Sequence, residues 1–532
     1  MSAFSIVVYS LCAVYMVLNF KYDIQMLQQN SYRIPRYWKW LRSNIGSSWR
    51  LVDVALLFLL WSVLLDVRLS MLIIAAACLT KIWIILTRKY KKPLAFTRRV
   101  WRIYSVTALL SLGGFIAVAV CCGSRPDIWG LYPAPVITLG TLLLITILSW
   151  AVVILAVIIL MPVENAINRR YWNDADRILR SMPDLTVIGI TGSYGKTSTK
   201  HYLNRILSES FDVLMTPGSY NTPMGVIRTV REMMKPFNQI FICEMGAKQK
   251  GDIKEICDLV HPDMGIITAV GPMHLESFKS IENVQSTKFE LADALPAGGV
   301  AVINNDFEYC ANRPVNNTTA LRYGVMSSDG CQYFASDVVY GPDGTTFIVN
   351  GPDGLRLPLA TRLLGECNVS DLLAAVIIAL RLGVPHEKIQ YAVASIEQVE
   401  HRLSMARTPA GVTIIDDAFN SNPAGSKMAV DVLSHFKGGK RIIVTPGMIE
   451  LGSEQKALNE KFGEYIGKGV DVAIVVGEYN REAIMAGIRK AGFKEDNLYP
   501  VASFAEAQKL LSTLLAPGDT VLYENDLPDT FK

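Results

Sequence analysis

Lys196 and Thr197 stand where a phosphate would be held. They close the stretch Thr191-Gly-Ser-Tyr-Gly-Lys-Thr-Ser-Thr199, in which a lysine and a hydroxyl directly follow a glycine pair. The glycines let backbone N–H groups close around a phosphate, Lys196 supplies a point charge, and the Thr197 hydroxyl is suited to ligate Mg²⁺. Gly192, Ser193, Gly195, Lys196, Thr197 and Ser198 form the nucleotide-binding set, with ATP as the nucleotide and Lys196 as a catalytic cation. The apolar run Thr186-Val-Ile-Gly-Ile190 before it predicts a buried strand, and Ser198 to Glu209 predicts a helix. The loop is shorter than the usual P-loop, which would place a glycine where Ile190 stands. A glycine turn without ligand is the competing reading. Gly-Lys-Thr directly after a strand favours phosphate.

Other chemistry-bearing residues also follow apolar runs. Gln239-Ile-Phe-Ile-Cys243 reads as a strand and ends in Glu244, an acid where a strand of a P-loop fold offers a Mg²⁺ ligand. Met264-Gly-Ile-Ile-Thr268 leads to His274, which alone would more often be structural. Lys288 and Glu290 follow in Ser286-Thr-Lys-Phe-Glu, and Gly299 to Asp306 predicts a further strand. Later, Val412–Ile415, Arg441–Thr445, Val472–Val476 and Asp519–Tyr523 alternate with helical stretches, the pattern of a small Rossmann-like sheet.

The chain that carries these residues is 532 residues long and divides by composition. Residues 1–161 hold 16 Lys and Arg against 4 Asp and Glu, whereas the remainder holds 36 against 44. Mean hydropathy is +0.27, with the apolar excess in the first part. Apolar runs occur near Ser5–Phe20, Val52–Leu65, Ser70–Thr87, Ile103–Cys122 and Val136–Met161. Basic residues gather in loops 21–50 and 88–102, while the intervening loops carry only Arg68 and Arg125. The positive-inside rule then predicts about five helical spans, the N-terminus outside, and everything from residue 162 in the cytoplasm. That reading places the protein in the cytoplasmic (inner) membrane as a multi-pass protein touching membrane lipid. A basic membrane part joined to an acidic soluble part explains the charge without nucleic acid. The nine cysteines show no zinc spacing and read as reduced thiols.

Taken in order, Thr-Gly-x-x-Gly-Lys-Thr, Asn221…Gly225, Glu244-Met-Gly-Ala, Gly271-Pro-x-His274-Leu-Glu, Lys288-x-Glu290 and Asn304-x-Asp306 resemble the Mur ligase family over about residues 184–525. The resemblance implies an α/β fold in four parts: a helical transmembrane region (1–161) in place of a UDP-binding domain, an amphipathic connector (162–183), a central P-loop ATPase domain (184–400) and a C-terminal Rossmann-like ligase domain (401–532). It implies ATP-driven amide formation through an acyl phosphate in cell-envelope synthesis. The reactants would be a small-molecule or lipid-linked carboxylate and an amino acid or peptide amine. It implies metal ligands Thr197, Glu244 and His274, with His274 also catalytic. It implies that catalytic Lys288 is carbamylated to become a further ligand. It carries over Asn368 on the adenine side, Arg402 and Asp417 toward the nucleotide, and Asn221, Asn420 and Asn422 toward substrate.

This chain departs from the family pattern at several points. Cys367 and Asp371 replace a histidine and an asparagine, and the Gly447–Gly452 segment lacks one acid. Glu524-Asn-Asp replaces Lys-Gly-Ser, so a basic position is acidic. Two other readings stay open: a poly-γ-glutamate-type amide ligase, and a non-catalytic, membrane-tethered ATP-binding regulator of wall synthesis.

Overall fold

The computed structural model describes residues 3–44, 67–88, 93–124, 134–273, 275–341, 344–397, 403–418 and 421–526. The chain forms two compact units that divide at residue 170.

The first unit is helical: Ala3–Gln29, Ile34–Asn44, Val67–Thr87, Arg98–Ser124, Ala134–Ile147 and the start of Ser149–Arg180. Its interior holds Asp23, which accepts a hydrogen bond from Tyr37 Oη at 2.9 Å and another from Ser149. The expected run Val136–Met161 is not one span. The chain breaks at Leu148, between the helices Ala134–Ile147 and Ser149–Arg180. The 14-residue helix is about 21 Å long, too short to cross an apolar layer of about 30 Å. Among the described residues three helices are long and apolar enough to cross a membrane, by length and composition only. The expected run Val52–Leu65 lies outside the described residues.

The connector expected over 162–183 is helical as far as Arg180 but is not a separate element. Ser149–Arg180 is one helix with Pro162 inside it. Pro162 removes the donor that would reach the Ile158 carbonyl but does not end the helix. The last turns belong to the second unit, where Ala175 and Leu179 join a buried cluster with Val226, Ile227 and Val230.

The second unit holds two sheets. The larger has nine strands in the order β2-β3-β1-β4-β5-β6-β7-β8-β9. These are β1 (Thr186–Thr191), β2 (Val213–Met215), β3 (Ile240–Glu244), β4 (Met264–Ile267), β5 (Val300–Asn304), β6 (Thr319–Gly324), β7 (Tyr333–Gly341), β8 (Gly344–Asn350) and β9 (Arg356–Thr361). Strands β2 to β7 pair in parallel, and β7-β8-β9 is an antiparallel extension. β1, β3 and β5 are buried almost throughout, which is why their sequences are continuous apolar runs rather than alternating ones. Helices Lys196–Leu207 and Glu366–Arg381 cover one face of this sheet, burying Tyr202, Leu203, Ile206, Leu372, Leu373 and Val376 in one cluster.

The smaller sheet orders as β10-β11-β15-β12-β13-β14. Its strands are β10 (Ser404–Arg407), β11 (Thr413–Asp417), β12 (Arg441–Thr445), β13 (Val472–Val476), β14 (Leu498–Val501) and β15 (Thr520–Glu524). All neighbours are parallel except β10 and β11, as a Rossmann-like arrangement requires. The strand latest in sequence, β15, lies inside the sheet, between β11 and β12.

Candidate active site

β1 is an interior strand, and its register pairs Ile190 with Glu244 at the end of β3. The phosphate loop and the acid therefore leave neighbouring strands at the same edge, where open parallel sheets bind ligands. Gly192 and Gly195 have φ of 155° and 77°. A Cβ at Gly192 would collide with Thr268 Oγ1, and one at Gly195 with the Asp371 carboxylate. The loop is thus packed as tightly as backbone allows, with N–H groups at the start of helix Lys196–Leu207 left for an anion. Lys196 Nζ donates to the Gly192 carbonyl at 2.8 Å and reaches the Ser193 carbonyl at 3.4 Å. Ser193 Oγ meets both the carbonyl and the N–H of Gly271 at 3.1 Å, and Ser193 N–H donates to Ala269 O at 2.7 Å. Ser198 is buried in the first helical turn.

Glu244 is the hub. It is 1% exposed. Thr197 Oγ1 lies 3.3 and 3.2 Å from its two carboxylate oxygens, and Asn221 Nδ2 donates to Oε1 at 2.9 Å. Lys200 Nζ sits 3.0 Å from Oε2. Burial alone would raise the Glu244 pKa. The charges of Lys200 and Lys196, with the Asn221 hydrogen bond, outweigh it and hold the carboxyl below its ordinary range. A hydroxyl and an ionised carboxylate side by side are the hard oxygen donors that Mg²⁺ takes, and Mg²⁺ completes its shell with water and phosphate oxygen. The donor set fits that ion.

Lys288 lies on helix Ile281–Asp293 and is 4% exposed. Burial, with the nearby positive charge of Lys196, brings its pKa down to about 7; Asp252 and Glu290 pull the other way. Its amine is therefore substantially neutral at neutral pH. Glu290 caps the helix Asp252–Val260, accepting from the N–H groups of Gly251 at 2.7 Å and Lys254 at 2.9 Å.

The remaining expected residues are distributed more widely. Asn368 is buried, with Oδ1 accepting from Tyr202 Oη at 2.6 Å and Nδ2 donating to Leu364 O at 2.7 Å, so each end of its amide is engaged inside the protein. Asn422 caps the helix Pro423–Ser434 by accepting from Gly425 N–H at 2.8 Å. Asp417 ends β11, accepts from Leu403 N–H at 3.2 Å and pairs in register with Glu524. Glu524 is fully buried and accepts from Ser421 Oγ at 2.5 Å, while among the described residues no donor reaches its second oxygen. Burial and the Asp417 carboxylate push its pKa well up. His274, Arg402 and Asn420 lie outside the described residues.

Sequence reasoning missed Lys200. Its signal was spacing: four residues after Lys196 and three after Thr197, it lies on the same helix face. Thr268 was also missed. Its hydroxyl bonds the carbonyls of Thr191, at 3.2 Å, and Tyr194, tying β4 to the loop.

Family models match in both halves of the second unit, the Mur ligase middle domain over residues 190–379 and the Mur ligase glutamate ligase domain over residues 401–523. The UDP-N-acetylmuramoyl-tripeptide–D-alanyl-D-alanine ligase of Mycobacterium tuberculosis is 31% identical over 363 residues, 64% of this chain and 70% of that protein. The Bacillus subtilis ligase of the same name is 28% identical over 344 residues, covering 64% and 72%. Among solved structures, MurF from Acinetobacter baumannii superposes with a TM-score of 0.61 at 25% identity, covering 68% of this chain and 78% of that one. The MurF ligase from Thermotoga maritima in complex with ADP gives 0.60 at 26%, covering 68% and 80%. The chain belongs to the Mur ligase family, whose members are ATP-dependent ligases that form amide bonds in peptidoglycan synthesis. Its relatives are the ligases named for adding D-alanyl-D-alanine.

These relatives also correct the expected location. The matched proteins are named as ligases and not as membrane proteins, and the apolar helices are candidates only. A multi-pass protein of the inner membrane is not supported. A basic helical domain satisfies the charge asymmetry of residues 1–161 as well as a positive-inside topology does.

Proposed function

We propose that this ligase activates a carboxylate of a muramoyl-peptide precursor at the joint edge of β1 and β3, and there joins it to a dipeptide or amino-acid amine. A carboxylate oxygen of the acceptor attacks the γ-phosphorus of ATP, the bond to the β-phosphate oxygen breaks, and ADP leaves. The amine nitrogen then attacks the acyl carbon, the carbon–phosphate oxygen bond breaks, inorganic phosphate departs and the nitrogen loses a proton. Every partner is anionic until the amine arrives, so positive charge and oriented N–H groups must be concentrated there. Lys196 and the loop N–H groups meet the phosphates. Thr197 and Glu244 would hold Mg²⁺, which when bound supplies further positive charge at the phosphates. Lys288 enters as a carbamate, formed when its neutral amine adds CO₂ and loses a proton, and so adds a negative oxygen donor. Asn221 aligns Glu244 from the acceptor side, and Asp417 faces the nucleotide.

The observation that carries this reading is the Thr197 hydroxyl, at the end of the phosphate loop, 3.3 and 3.2 Å from the two oxygens of the buried Glu244 carboxylate. The test is ADP release by purified protein. The panel has UDP-linked and lipid-linked muramoyl peptides as acceptors and D-alanyl-D-alanine, single amino acids and glutamate as amines. Turnover is expected with a muramoyl-peptide acceptor plus a dipeptide. ADP release that no acceptor or amine in the panel stimulates would overturn the assignment.

A further inference from the structure

Lys200 is 0% exposed, and its ion-pair partner Glu244 is 1% exposed. Its ammonium lies 3.0 Å from Glu244 Oε2 and donates to the Gly218 carbonyl at 2.5 Å. Gly218 belongs to the segment Thr216–Asn221, which returns to the same acid. Thr216 Oγ1 accepts from Glu244 N–H at 3.1 Å, and Asn221 Nδ2 donates to Oε1 at 2.9 Å. The Asn221 carbonyl accepts from Gly246 N–H at 2.7 Å.

We propose that Lys200 is a positioning residue that serves as the resident counter-cation of Glu244, so that this site takes up a divalent cation together with nucleotide phosphate and only poorly by itself. The inference rests on the reading of Glu244 as a metal ligand. Its physical basis is charge accounting at contact distance. A carboxylate already paired with an ammonium presents almost no net charge to a second cation, and in a buried setting that cancellation is screened little. The phosphates then have to bring the negative charge that attracts the ion. The same ammonium fixes the 216–221 segment, so the metal ligand and the segment carrying Asn221 move as one piece.

The experiment measures Mn²⁺ binding by electron paramagnetic resonance and calorimetry, on full-length protein, without nucleotide and with saturating ADP. Wild type is expected to bind Mn²⁺ at least about tenfold more tightly with ADP than without it. Lys200→Gln retains an N–H for the Gly218 carbonyl and removes the charge, and Lys200→Met removes both. Either is expected to tighten nucleotide-free Mn²⁺ binding at least about tenfold while leaving the ADP-loaded affinity much closer to wild type. Lys200→Arg should behave as wild type. A merely structural role would weaken binding in both states. Glu244→Gln separates this inference from the reading beneath it. If Glu244→Gln leaves Mn²⁺ binding with ADP unchanged, Glu244 is not a metal ligand. If it abolishes binding while neutral substitutions at 200 do not tighten it, the counter-cation proposal is wrong. Should those variants not fold, the wild-type measurement decides: equal Mn²⁺ affinity with and without ADP overturns it.

Discussion

Lys288 provides a prediction in which stability and activity move in opposite directions. With a pKa of about 7 in place of the ordinary 10.5, half of its amine is neutral at pH 7. An ordinary lysine would be neutral in about one molecule in three thousand at that pH. Carbamate formation needs the neutral amine and releases a proton. At fixed dissolved CO₂, occupancy should therefore fall at least about tenfold for each pH unit below 7. The same shift acts on folding. Between about pH 7 and 10.5, the unfolded chain holds a proton that the folded chain does not. Stability in CO₂-free buffer therefore rises with pH across that window, and the burial cost is largest at its lower end. The gap between those two values is worth up to about 5 kcal/mol. Lys288→Met, which buries a similar volume without a titrating group, should raise Tm at pH 7, by less at pH 9.5, and abolish ligation. Lys288→Ala should be partly rescued by acetate, whose carboxylate fills the vacated space. Lys288→Arg should stay inactive, because guanidinium keeps its charge. Thermal denaturation, ADP release and ¹³C spectroscopy after labelled bicarbonate read the three effects. A fully active arginine variant, or a wild type with no carbamate signal at pH 8, would refute the reasoning.

Lys196→Ala should abolish ADP release with a Tm within about 2 °C of wild type, since its ammonium bonds the Gly192 and Ser193 carbonyls of its own loop and lies in no apolar core; comparable turnover would show that the loop is not the phosphate site. Gly195→Ala forces a side chain onto a left-handed residue and into Asp371, and should weaken ATP affinity at least about tenfold by calorimetry. Glu524 has a raised pKa in the folded state, so the folded chain holds the extra proton and stability falls as pH rises above the unfolded carboxylate value. Glu524→Gln should therefore raise Tm by more at pH 8 than at pH 5, the gain at pH 8 being roughly 1–3 kcal/mol; an equal shift at both pH values would refute the buried-proton account.

What could be read from the residues followed burial and motif chemistry. β1, β3 and β5 are buried runs bounded by turn formers, and the Gly-Lys-Thr loop had to open a helix, which begins at Lys196 instead of Ser198. The extension β7-β8-β9 was not legible, because Pro358 interrupts the only clear alternation, in β9. Proline is tolerated there because β9 is the sheet edge. Lys200 was not singled out in the sequence, because nothing local marks a lysine that pairs with an acid at the end of β3. Asn422 carried a substrate reading from its motif, and its Oδ1 also caps a helix, a role the motif alone did not show. The helix across Pro162 defeated the rule that proline ends helices. The helix runs on for 18 residues beyond Pro162, and its last turns are anchored by Ala175 and Leu179 in a buried cluster, so the loss of one donor was not enough to break it.

The position of β15 between β11 and β12 has a consequence for how the protein is made. During synthesis, residues 404–501 emerge with five of the sheet's strands but without the one that joins them. β10-β11 on one side and β12-β13-β14 on the other then each present an open edge toward the gap. Such edges invite pairing with other chains. The domain can close only when Thr520–Glu524 arrives and bonds to both halves at once. A ribosome that stalls or terminates between residues 501 and 520 should release two half-sheets rather than a weakened domain, and these are natural substrates for chaperone holding and proteolytic clearance.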